Sequence, residues 1–88
     1  MKLKYNFVTN EVADQIVAVA VGEDLENFNG FIKMNKTGAE IFELLKNDIS
    51  MDDLVAEMAK LYPDETEETV LETVKGFVEQ LQNSGVIE

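Results

Sequence analysis

Residues 28–42, Phe28-Asn29-Gly30-Phe31-Ile32-Lys33-Met34-Asn35-Lys36-Thr37-Gly38-Ala39-Glu40-Ile41-Phe42, contain the change of period on which the fold turns. Up to Met34 the pattern alternates. Phe28, Gly30, Ile32 and Met34 fall on one face, and Asn29, Phe31 and Lys33 on the other. Period two is the mark of a strand with one buried face. From Lys36 or Thr37 onward the apolar residues Ile41, Phe42, Leu44 and Leu45 follow at helical spacing. Asn35 lies between the two regimes and is a residue type that accepts hydrogen bonds from the first amides of a helix. Gly38 falls in the first helical turn, where its freedom costs less than in mid-helix and a close approach to the sheet becomes possible.

Toward the N-terminus, Tyr5 to Val8 is a short apolar stretch followed by a polar Thr9-Asn10-Glu11 break. Ile16 to Val21 is valine-rich, apolar on both faces, and ended by Gly22, and Glu23 to Asn27 is a charged loop. The connections are too short for parallel crossovers, so the three strands are expected to form a mostly antiparallel sheet.

Toward the C-terminus, the first helix is expected to run to about Asn47. The second opens at Ser50, with Ser50 and Asp53 at capping-box spacing and Ile49 and Leu54 placed as a hydrophobic staple. Leu54, Met58 and Leu61 carry its stripe, and Pro63 stops it. The third, about Glu65 to Asn83, has a possible capping box in Asp64 and Glu67. Its stripe is Val70, Leu71, Val74, Phe77, Val78 and Leu81, and Gly85 closes it with Val86 folding back toward Leu81. The expected fold is one α+β domain over 1–88: an N-terminal three-stranded antiparallel sheet (1–35) followed by a three-helix, winged-helix-like unit (36–88).

Composition narrows the chemistry. The 88 residues contain no cysteine and no histidine, which removes thiol nucleophiles, the usual zinc ligands and the commonest general base near neutral pH. No apolar run approaches the roughly 20 residues that cross a bilayer, and the N-terminus lacks a secretory signal, so a cytoplasmic, non-membrane protein is expected. Four lysines meet five acids in residues 1–36, whereas three lysines meet thirteen acids in 37–88. There is no arginine. Such a charge repels phosphate and lacks the fork that reads guanine, so a nucleic-acid partner is not expected even on a winged-helix scaffold.

The acids fall on helix faces and at helix N-termini, where capping and solvation account for them. Neighbours such as Asp52 and Asp53 point apart on a helix. No EF-hand spacing occurs. Asp48-Ile49-Ser50-Met51 invites comparison with acyl carrier proteins, but Ile49 separates the aspartate from the serine, and the chain opens with strands. No catalytic or metal residue is assigned. Phe31, on the face that alternation gives to solvent, together with the doubly apolar Ile16 to Val21, points instead to a surface that a partner covers.

The segments Phe7-Val8 with Glu11-Val12-Ala13, Val19-Ala20-Val21-Gly22 and Phe28 to Phe42 resemble the PqqD-like family, whose domain is also called the RiPP recognition element. Leu54-Val55, Leu61-Tyr62, Leu81, Gly85 and Val86-Ile87 extend the resemblance over nearly the whole chain. Met34 stands where the family usually has leucine, a volume-conserving change. The N-terminal motif of members serving pyrroloquinoline quinone synthesis is not seen.

The resemblance implies a non-enzymatic module without a cofactor of its own. Such a module binds the leader of a ribosomally made precursor peptide and presents it to a modifying enzyme, commonly a radical S-adenosylmethionine maturase. It implies that the leader adds as a strand beside the third strand, in a groove shared with the last helix. The residues so indicated are Gly30, Phe31, Ile32, Lys33 and Met34, with Leu71, Val74, Lys75 and Val78. A winged-helix nucleic-acid-binding regulator and a general protein-interaction adaptor are the alternatives.

Overall fold

Asn35 joins strand to helix in the computed structural model, which describes residues 1–88. Its side-chain oxygen accepts from Gly38 N–H at 2.8 Å, so the last strand ends and the first helix starts on one residue. Three strands, β1 (Phe7–Val12), β2 (Gln15–Ala20) and β3 (Phe31–Met34), form an antiparallel sheet in the order β1-β2-β3. Three helices follow: α1 (Lys36–Leu44), α2 (Met51–Leu61) and α3 (Glu67–Asn83). The expected α+β architecture is the observed one.

The boundaries differ where tertiary pairing overrides local pattern. β1 continues through Thr9-Asn10-Glu11 to Val12, because those residues pair in register with Ala18, Val17 and Ile16. The two-residue turn Ala13-Asp14 holds Ala13 at φ 58°, a conformation that favours glycine. β3 begins only at Phe31. Phe28 N–H instead donates to Asp24 C=O, and its ring packs 5.7 Å from that of Phe7. Within the expected loop, Gly22–Leu25 forms a 3-10 turn.

α1 stops at Leu44 rather than near Asn47. Lys46 N–H bonds back to Glu43 in a tighter turn, and Leu45 C=O accepts from Leu3 N–H at 2.8 Å. The cap of α3 is Thr66, accepting from Thr69 N–H at 3.1 Å, not Asp64. A turn closed by Glu65 N–H to Tyr62 C=O after Pro63 uses Asp64 and delays the helix. Ser50 caps α2 as expected, accepting from Asp53 N–H. At the end of α3, Val86 N–H reaches Leu81 C=O and Gly85 N–H reaches Gln82 C=O, with Gly85 at φ 75°: a Schellman closure.

The sheet's inner face supplies Phe7, Ala18, Ala20, Ile32 and Met34 to one core with Ile41, Phe42, Leu45, Leu54, Met58, Val74, Val78 and Leu81. The alanines of β2 leave room for α1, whose Phe42 ring meets that of Phe7 edge-on at 5.3 Å. No polar residue is buried. The outer face carries Val8, Asn10, Val12, Gln15, Val17, Val19, Phe31 and Lys33, and no helix covers it.

Residues 1–4, to which the sequence pattern assigns no structure, tie the molecule together. Leu3 bridges Ile87, Lys4 N–H donates to Val86 C=O, and Ile49 N–H donates to Met1 C=O.

Candidate functional site

β3 has a partner along one side only. In an antiparallel ladder a residue's N–H and C=O point to the same side, and the side alternates along the strand. Val21 N–H donates to Asn6 C=O, so the odd-numbered residues of β2 face β1 and its even-numbered residues face β3. The register Ala18↔Ile32 and Ile16↔Met34 then turns the backbone of Ile32 and Met34 inward to β2. Phe31 and Lys33 point their N–H and C=O groups to the open edge. Their side chains stand on the outer face, with Lys33 Nζ 5.8 Å from the centre of the Phe31 ring.

β3 and α3 make no backbone contact, and the first turn of α1 stands between them. A β-carbon on Gly38 would lie 2.9 Å from the Phe77 ring and 3.2 Å from Met34 Cβ, so only glycine lets these three elements converge. The groove beside Asn35 is walled by Thr37, Gly38, Thr73, Gly76, Phe77 and Gln80. Gly76 has nothing within 4 Å of where its β-carbon would stand, and the helix backbone is bare there.

The groove continues past Asn35, Thr37 and Thr73 into a cavity of about 300 Å³ floored by Met58, Val70 and Val74. At its rim the Tyr62 hydroxyl donates to the Glu40 carboxylate and lies 3.1 Å from Thr37 Oγ1, which pins the start of α1 to the end of α2. The hydrogen bond to Glu40 raises the Tyr62 pKa above its ordinary 10.0, against a smaller lowering by Thr37.

These positions sort the residues indicated by the sequence. Gly30, Phe31, Ile32, Lys33 and Met34 lie at or beside the open edge, with Ile32 and Met34 side chains in the core. Val78, 2% exposed, holds α3 against the core, whereas Val74, 0% exposed, packs in the core and closes the floor of the cavity beyond Asn35. Leu71 and Lys75 occupy the opposite flank of α3, where Leu71 lines a depression with Val55 and Ala59 of α2. The flank turned to β3 is Thr73, Gly76, Phe77 and Gln80, which sequence reasoning missed. A glycine in the middle of the longest helix, next to an aromatic residue, is the signal that marks it.

The family model described as coenzyme PQQ synthesis protein D (PqqD) matches residues 19–87, from β2 through the C-terminal closure. The chain belongs to the PqqD family. Among solved structures, one titled "TbiB1 in Complex with the TbiA(beta) Leader Peptide" is similar to this PqqD-family chain at 20% identity and a TM-score of 0.75. The match covers 100% of this chain and 95% of that one. At that identity the likeness is one of fold. No curated protein matches the chain.

Proposed function

We propose that this PqqD-family chain is a non-catalytic binding module for the leader segment of a ribosomally synthesised precursor peptide. The observation that carries the proposal is the open edge of β3. Unpaired N–H and C=O groups at Phe31 and Lys33 offer backbone pairing to an added strand, and such pairing gives affinity with little demand on sequence. Specificity then comes from side chains reaching the wall of Thr73, Gly76 and Phe77 and the apolar cavity beyond Asn35, while Lys33 favours a nearby carboxylate. The similar structure titled as a leader-peptide complex supports the reading.

The bound peptide is presented in the cytoplasm to a modifying enzyme, a radical S-adenosylmethionine protein. The chain contributes no reacting group: it lacks histidine and cysteine, and its acids are surface acids.

The test is a titration of isotope-labelled protein with peptides selected against it from a displayed library of leader-length sequences. Amide shifts should concentrate at residues 30–35 and along Thr73 to Gln80. Shifts confined to α2 and the β1–β2 turn, with 30–34 silent, would sink strand addition.

A further inference from the structure

The outer face of the sheet is an uncovered apolar surface. Val8, Val19 and Phe31 form a row across all three strands, with Val17 and Val12 beside them; Val8 is 45%, Phe31 59% and Val12 64% exposed. An uncovered apolar patch of this kind marks an interaction site. The strands place one charge on this face, the cation of Lys33, with Asp14 of the β1–β2 turn beside it at the rim, although the chain has 18 acids and a net charge of −11.

We propose that this face binds the same face of a second copy, forming a weak, reversible, face-to-face dimer. Two identical sheets have the same twist and therefore stack in the aligned manner, about 10 Å apart. Charge distribution favours self-pairing here. Residues 1–36 are nearly neutral, and the thirteen acids of 37–88 belong to the helical half, which lies behind the sheet in each copy. With a helix layer about 10 Å behind each sheet, the acidic layers are roughly 30 Å apart, well beyond the ~8 Å screening length at physiological salt. Contact through the acid-rich helical surfaces would instead set acid against acid.

Three short strands cover less than the ~800 Å² per partner of a stable interface, so the dimer is transient and concentration-dependent. Stacking leaves the edge of β3 open in both copies, so self-association does not block the addition of a strand there.

Sedimentation equilibrium of the purified chain, from about 20 µM to about 1 mM, tests the proposal. The expected result is a mass rising from monomer toward dimer, with dimerisation strengthened as salt is raised from about 10 mM, where the screening length is ~30 Å, to physiological strength. Phe31→Lys and Val8→Lys should each weaken it at least about tenfold, as burying a lysine on an apolar face requires. Leu71→Lys, on the helical half, should leave it unchanged. Dilution should move the amide signals of Val8, Val17, Val19 and Phe31. A monomer at every concentration overturns the proposal. So does a dimer indifferent to both lysine variants but abolished by Thr9→Pro, whose N–H faces the free edge of β1, since that result means pairing between edges.

Discussion

Asn35, Ser50 and Thr66 each accept a hydrogen bond from the first turn of a helix, and Gly85 closes α3 with two backbone bonds. Nothing comparable finishes β3, whose four residues leave one side of the backbone unpaired. The halves also differ in charge, nearly neutral in 1–36 and strongly acidic in 37–88. The difference separates two tasks. The helical half caps its own helices and carries most of the charge; the sheet half leaves hydrogen-bonding capacity and apolar surface for something else. Exposed strand edges are a liability that proteins ordinarily blunt with proline, bulges or cover, so a bare one beside a walled groove is informative.

Lys33→Pro strikes this contrast hardest. The Lys33 N–H faces the open edge, so proline there removes a donor for an added strand without breaking the ladder to β2. Affinity for a selected peptide, measured by calorimetry, should fall by about a hundredfold or more, with the melting curve little changed. Ile32→Pro, whose N–H bonds to β2, should instead unfold the sheet.

Gly38→Ala attacks the convergence of β3, α1 and α3. A new β-carbon 2.9 Å from Phe77 and 3.2 Å from Met34 forces repacking that should cost about 1–3 kcal/mol in denaturant unfolding. Ser50→Ala tests the closed half: loss of the α2 cap should cost ~1 kcal/mol and leave peptide affinity unchanged. Gly76→Ala sharpens the comparison by reversing the sign. Its position is open and helical, so alanine should stabilise the fold by about 0.5–1 kcal/mol. The same methyl narrows the groove, and peptide affinity should drop. A gain in both would remove Gly76 from the site.

The smallest effect is at alkaline pH. The folded-state pKa of Tyr62 lies above its ordinary 10.0, so the fold favours the neutral phenol. That contribution is whole below pH 10 and is lost as pH rises through the folded value. Tyr62→Phe should therefore lose a little stability at neutral pH and show a shallower alkaline decline than the parent.

The strand-to-helix switch at Asn35 was legible because two periods meet on a capping residue, and Pro63 and Gly85 punctuate the chain for equally local reasons. The extension of β1 through Thr9-Asn10-Glu11 was not, because a polar stretch becomes strand only when a strong neighbour such as β2 pairs with it. The site was half legible. Alternation along 28–34 identified the strand and put Phe31 outside, but the apolar stripe of α3 is broad enough that Leu71 and Phe77 sit on its two margins. Which margin faces β3 depends on how α1 threads between them, and that packing is fixed by Gly38.

The knot of contacts among residues 1–4, 45–49 and 86–88 has a kinetic consequence. Leu3 bridges Ile87 and Lys4 N–H donates to Val86 C=O, so these pairings wait for a segment made much later. Contacts so distant in sequence close late and slow the final folding step. On the ribosome the helices and the β1–β2 hairpin can form as they emerge, while the seam that locks them together stays open until residue 88 clears the exit tunnel.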